Sequence, residues 1–201
     1  AVGKILVRVD DLGVDLLSIA GHKLHAPKGV GVLYVRRGTP LRPLLLGAGH
    51  ERGLRPGTEN VAGIVGLGEA CAIAHRDLAD TSARIRSLRD HLWDRLREEV
   101  PGIRLNGHPA NRLPNTLNVG FPGMRGSAVL AAAPGIAAST GSACHEGGES
   151  PSGVLLAMGV DPEVALGSVR LSLGHGTTRD DIEAAADALI QAWKRLAPPP
   201  R

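Results

Sequence analysis

The stretch AGHKLHAPKGVGVLYV, residues 20–35, decides how this chain is read. It sets His22 and Lys23 side by side, then a bend at Pro27 and Gly29, then an alternating apolar run. Pro27 fixes one backbone angle and Gly29 frees the next turn. The segments 16–19 and 31–35 are rich in branched residues, so they are predicted as short strands paired across the APKG turn. A lysine is long, hydrated and entropically costly to hold at such a bend. One reading of Lys23 is an ordinary surface lysine; the other is a Schiff-base former. An amine near its reference pKa of about 10.4 is neutral only about one time in 2,500 at pH 7, so an imine-forming lysine must be desolvated or held near other cations. His22 and the tight turn are the local features that could supply that setting.

Downstream, RPGTEN places Thr58 as a candidate helix cap, and residues 61–74 read as an apolar, small-residue helix whose glycines favour close packing. Between 78 and 100 the residues Leu78, Ile85, Leu88, Leu92 and Leu96 recur by threes, fours and sevens with charges between them, which predicts a long amphipathic helix connecting two lobes. Residues 103–121 read as strand, loop, strand, and 127–140 as a helix leading into a further strand. SVRLSLG, residues 168–174, alternates, with Val169, Leu171 and Leu173 to one side and Ser168, Arg170 and Ser172 to the other. One arginine is thereby aimed off a strand. The last helix is signalled by Thr178 ahead of an acidic first turn and by Lys194 and Arg195 at its end.

Composition bounds the function. The 201 residues are 43% hydrophobic, enough for one good core or two small ones. The net charge of +3 and the scarcity of aromatic residues, 2%, leave no electrostatic footprint for nucleic acid. The longest apolar stretches are broken by Glu69 or Pro134, too short to span a bilayer. Two separated cysteines, Cys71 and Cys144, show no metal-ligand spacing and point to a reducing, cytoplasmic setting.

GAGHERG, residues 47–53, lacks the spacing and the strand-then-helix surroundings of a dinucleotide loop. Cys71, within the apolar helix, reads as a packing residue. Cys144 sits among Gly, Ser, His, Glu and Pro, the composition of a polar loop in which a thiol is exposed and reactive.

SIAGHKLHAPKGVGVLYVRRG, GAGHERGLRPGTENVAGIVGLGEA, LPNTLNV, STGSACHEGGESPSGVLLAMG and VRLSLGHGTT, in that order, closely resemble the cysteine desulfurases. These are pyridoxal-phosphate enzymes of the class V aminotransferase, fold-type I group. The resemblance implies an α/β fold comprising the end of a large mixed-sheet cofactor domain, residues 1–78, and a small C-terminal domain, residues 79–201. It implies that Lys23 binds pyridoxal phosphate covalently and shuttles the substrate α-proton, and that His22 contacts the cofactor phosphate. Thr58 would be lent across a homodimer interface to the neighbouring subunit's phosphate. Arg170 would clamp the substrate carboxylate, the alternative being an exposed strand arginine. Cys144 would be the nucleophile that takes sulfur from L-cysteine, leaving alanine and a persulfide for a sulfur-acceptor or iron-sulfur scaffold protein. Gly147 and Gly148 would let that loop swing, and His145 stands beside the thiol either as a pKa-lowering neighbour or as a solvated side chain.

Three departures stand out. Ala20 replaces a phosphate-binding serine, His25 and Ala26 replace an aromatic and a glycine, and ACH resembles the selenocysteine lyase branch, which leaves sulfur and selenium both open. The chain begins without Met, and the family's ring-stacking histidine and the aspartate and glutamine that hold the cofactor ring belong to a preceding half. The chain is therefore expected to be the C-terminal half of such an enzyme, or a piece acting only as a docking module. A parallel sheet stripped of its early strands has open edges and an uncovered face, so poor stability is expected of it.

Overall fold

The computed structural model describes residues 1–141 and 150–197 and divides into two compact units, Ala1–Ala79 and Asp80–Arg201. In the first unit a short helix, α1 (Val9–Leu12), is closed by Gly13 in the left-handed region, φ 62°. Strands β1 (Leu16–Ala20) and β2 (Gly31–Val35) pair antiparallel, Leu16 opposite Val35 and Ala20 opposite Gly31. The predicted strand pair is present, and its connection contains a 3₁₀ turn, Gly21–Leu24, ended by His25 at φ 62°. Gly29 then takes φ 86°, which glycine adopts without strain. The backbone N–H of Gly21 donates to Val30 O at 3.0 Å, and a Cβ there would lie 2.7 Å from the same oxygen, so the close approach requires glycine.

A distorted helical turn, α2 (His50–Gly53), leads to α3 (Val61–Arg76). The cap of α3 is Asn60, whose side chain accepts from Gly63 N at 3.1 Å, and not Thr58 as predicted. Thr58 lies two residues too early to reach the orphan N–H groups of the first turn. Gly66 of α3 is the glycine where close packing is real, since a Cβ there would stand 2.9 Å from Pro27 Cγ. The buried apolar side chains of this unit are Leu24, Ala26 and Leu67, whereas Leu44, Leu45 and Leu46 are 96%, 64% and 89% exposed.

The second unit takes up α4 (Leu78–Glu99), then β3 (Arg104–Leu105), β4 (Thr116–Gly120), α5 (Gly126–Ala131), α6 (Gly153–Ala157), α7 (Pro162–Leu166), β5 (Ser168–Ser172) and α8 (Arg179–Leu196). The sheet order is β3-β4-β5, antiparallel throughout. One face of the sheet contributes Leu117, Val119, Val169 and Leu171 to a core shared with Ile85, Leu92 and Leu96 of α4, Val129 of α5 and Ile182, Ala186, Leu189 and Ile190 of α8. The predicted spacing of α4 thus faces its apolar stripe inward. Each leucine, isoleucine or valine among them contributes on the order of 2 kcal/mol when fully buried.

Three features depart from expectation. Every described strand pair is antiparallel, so no part of a parallel sheet occurs among the described residues; the connection between β1 and β2 is too short for a parallel crossover. The strand expected near residue 140 is reduced to one bridge, Ser139 with Arg170, because Pro134 and Gly135 end the helical segment and leave a short tail of small residues. Ser168 is completely buried although it lies on the polar side of β5, because α7 covers that end of the sheet and Ser168 Oγ donates to Val164 O at 2.7 Å. No helix among the described residues is long and apolar enough to cross a membrane.

Candidate functional site

The 3₁₀ turn explains how His22 and Lys23 are presented. With three residues per turn, Gly21 and Leu24 fall on one side and are buried, which turns His22 and Lys23 outward. Both are exposed, and neither side chain makes a hydrogen bond or ion pair among the described residues. The desolvation that an imine-forming lysine requires is therefore not supplied by the turn itself. What the turn offers is an amine with no carboxylate on it, an imidazole beside it, and a backbone held rigid by the Gly21–Val30 contact. These groups fit a cofactor bearing an aldehyde and a phosphate.

Thr58 lies in the same unit, in a loop tied by one arginine. Arg55 donates from Nε to Glu51 Oε1 at 2.8 Å, from Nη1 to Pro56 O at 3.2 Å and from Nη2 to Thr58 O at 3.1 Å. Gly57, at φ 98°, allows the turn. Thr58 is exposed, and its hydroxyl makes no hydrogen bond among the described residues.

Arg170 belongs to the second unit. Its backbone is clamped on both sides: it pairs in register with Asn118 of β4, and it exchanges hydrogen bonds with Ser139, Arg170 N to Ser139 O at 2.7 Å and Ser139 N to Arg170 O at 3.3 Å. The side chain is half-buried and lines a cavity of about 530 Å³ with Asn118, Ser139, Thr140, Leu155 and Ala165. Its guanidinium meets no acceptor or carboxylate among the described residues. A partly desolvated guanidinium with unspent donors facing a cavity is the chemistry of an anion site, and its planar fork matches a carboxylate.

Cys144 lies outside the described residues, as do His145, Gly147 and Gly148. Gly141 and Ser150, the residues that bracket the segment carrying Cys144, both line the cavity of Arg170. Ser139 fixes the first of these, since its Oγ donates to Gly141 O at 2.6 Å and accepts from Gly141 N at 3.2 Å. Cys71 is partly buried on α3 and is free.

Beneath Arg170 is a polar group that the sequence did not signal. Asn106 Nδ2 donates to Asn118 Oδ1 at 2.7 Å and to Ser168 Oγ at 2.8 Å. The loop behind Asn106 is secured by Arg112, which donates to Asn106 O at 2.9 Å and to His108 O at 2.7 Å. Burial, with the nearby charge of Arg89, pushes the Arg112 pKa down. No motif links residues 106, 118 and 168; only strand register brings them together.

The aminotransferase class-V family matches residues 1–185, and the chain belongs to that family. The family's cofactor is pyridoxal phosphate. The chain is 47% identical over 191 residues to a cysteine desulfurase of Gluconacetobacter diazotrophicus, covering 94% of this chain and 48% of that protein. Among solved structures it superposes on a NifS-like protein with TM-score 0.83 and 38% identity, covering 98% of this chain and 50% of the other. A NifS-like protein from Rickettsia africae gives TM-score 0.84 and 31% identity, covering 96% and 51%. The mixed α/β architecture is thus that of about half of a NifS-like structure, and the chain spans about half the length of the curated relatives it matches.

Proposed function

We propose that this chain carries the anchoring, substrate-binding and sulfur-accepting residues of a pyridoxal-phosphate-dependent cysteine desulfurase. The observation that carries the reading is the cavity of the second unit, where the guanidinium of Arg170, without a partner among the described residues, shares a wall with both residues bracketing the Cys144 segment. The similarity to cysteine desulfurases along nearly the whole chain supports it.

In this reading Lys23 Nζ is the attachment point of the cofactor and the base that takes and returns the proton at the substrate's α-carbon. His22 holds the cofactor phosphate, assisted by Thr58 from the other subunit of a homodimer. Bound pyridoxal phosphate supplies the electron sink for the substrate's α-carbon. Arg170 grips the α-carboxylate of L-cysteine through two parallel N–H···O bonds. Cys144 Sγ, as thiolate, attacks the substrate sulfur; an S–S bond forms and the substrate's Cβ–S bond breaks with its electron pair staying on carbon, which then takes up a proton. The products are L-alanine and a persulfide on Cys144. The carbon is reduced by the two electrons that the sulfurs lose, so no outside oxidant is needed. The persulfide sulfur then passes to an acceptor in the cytoplasm, such as an iron-sulfur scaffold protein.

The test is an assay of the whole polypeptide that carries these residues, supplied with pyridoxal phosphate and offered L-cysteine and, separately, selenocysteine. Cys144→Ser is expected to abolish sulfide release while keeping the cofactor absorbance, and Lys23→Ala to lose that absorbance. Parent-rate sulfide release by Cys144→Ser, or an undiminished cofactor band in Lys23→Ala, refutes the mechanism.

A further inference from the structure

Asn118 is the cross-strand neighbour of Arg170, and the hydrogen bonding around the two residues defines the kind of pair they form. The backbone N–H and C=O of Arg170 both turn to Ser139, on the far side of β5, while Asn118 O accepts from Asn106 N at 2.9 Å, on the far side of β4. Asn118 and Arg170 therefore form a non-hydrogen-bonded antiparallel pair, the kind in which facing side chains approach most closely. Both are partly buried and both line the same cavity.

The direction of the Asn118 amide follows from its neighbours. Ser168 spends its only hydroxyl proton on Val164 O, 2.7 Å away, so its oxygen accepts from Asn106 Nδ2 at 2.8 Å. The other Asn106 Nδ2 proton goes to Asn118 Oδ1 at 2.7 Å. Asn106 is only 7% exposed and Ser168 fully buried, so the relay is set in the packed part of the unit. With Oδ1 committed to Asn106, the Nδ2 of Asn118 carries two N–H donors that have no acceptor among the described residues. A buried or half-buried donor without a partner is costly, and the cavity that Asn118 lines is where a partner can enter.

We propose that Asn118 is a second donor to the carboxylate bound by Arg170, with Asn106 and Ser168 as positioning residues that hold its amide in the donating orientation. This inference rests on the reading of Arg170 as a carboxylate clamp. The ligand chemistry is a small carboxylate, here the α-carboxylate of an amino acid. Arg170 supplies the charge; Asn118 adds a neutral donor that fixes which way the carboxylate plane lies.

The experiment titrates acetate, and in parallel L-alanine, into the uniformly ¹⁵N-labelled 201-residue chain and follows the Arg170 Nε–H and Asn118 Nδ2–H₂ resonances. Both are expected to move and saturate with one dissociation constant, and Asn118→Ala is expected to raise that constant about tenfold as measured at Arg170, the usual scale for a hydrogen bond to a charged group. Asn106→Asp reverses the relay, since an ionised carboxylate only accepts and draws the Asn118 N–H₂ away from the cavity. Its effect should match that of Asn118→Ala and not add to it. Saturation at Arg170 with the Asn118 resonances unmoved, or with affinity unchanged in Asn118→Ala, overturns this inference and leaves the clamp standing. No response at Arg170 to either probe overturns both. The wild-type spectra decide the matter even where Asn106→Asp fails to fold.

Discussion

His91 Nε2 lies 2.6 Å from Glu183 Oε1, a contact made across 92 positions of sequence that ties α4 to α8. Arg95 bonds the other oxygen of Glu183 and also reaches Asp187 at 2.7 Å, while Lys194 meets Glu99 at 2.8 Å further along the same two helices. The apolar seam between α4 and α8 is thus edged by a ladder of ionic contacts.

That ladder makes the second unit acid-sensitive. The hydrogen bond from His91, with the charges of Arg95 and Arg179, holds the Glu183 carboxyl below its ordinary pKa. Lys194 lowers Glu99, and the backbone N–H and hydroxyl of Thr178 lower Asp181. A carboxyl with a depressed folded pKa favours the folded state above its unfolded value, about 4, and loses that contribution as pH falls through the folded value. Thermal midpoints are expected to fall on acidification below about pH 4, with a shallower fall in Glu183→Gln and in high salt. An unchanged slope in Glu183→Gln would count against the ladder.

The N-terminus of α8 carries a reciprocal cap. Thr178 Oγ1 accepts from Asp181 N at 3.1 Å and Thr178 N donates to Asp181 Oδ2 at 2.9 Å. Thr178→Ala is expected to cost about 1 kcal/mol in urea denaturation, and Thr178→Ser to restore most of it.

Leu96 and Leu44 should behave oppositely under the same substitution. Leu96 is fully buried between α4 and the sheet, so Leu96→Ala is expected to cost about 3 kcal/mol through lost burial and the cavity left behind. Leu44 is 96% exposed, so Leu44→Ala is expected to stay within about 0.5 kcal/mol of the parent. Equal losses in denaturation curves would contradict the assignment of the core.

Gly21→Ala tests the turn that presents Lys23. The added methyl would stand 2.7 Å from Val30 O, a backbone atom that cannot swing aside. Loss of the β1 and β2 amide dispersion is expected, at a cost of about 2 kcal/mol by analogy with other overpacked positions. Unaltered β1 and β2 resonances would show that the turn tolerates a side chain.

What could be read in advance was local. The capping residues of α8, the apolar period of α4 and the Pro27/Gly29 bend are each written within a few adjacent positions, and the structure contains each. What could not be read was set by distance or by competition. Asn106 and Ser168 meet across 62 positions through strand register, and α7 buries a serine that alternation alone places toward solvent. Thr58 and Asn60 are both good caps, and only the backbone path decides that Asn60 reaches Gly63 N. The bend around Lys23 left an ordinary surface lysine and a Schiff-base former both open, and its outward orientation comes from the three-residue period of its turn, which the sequence of the bend does not announce.

Interior side chains are unevenly shared between the two units, with Leu24, Ala26 and Leu67 in one and the whole large cluster around Phe121 and Leu189 in the other. In heavy water the backbone protons of β1 and β2 should therefore be replaced by deuterium through small, frequent openings, while those of β4 and β5 wait for the second unit to open as a whole. The peptide links around Lys23 would then offer a protease its earliest cuts, well before any appear in the stretch that holds Arg170.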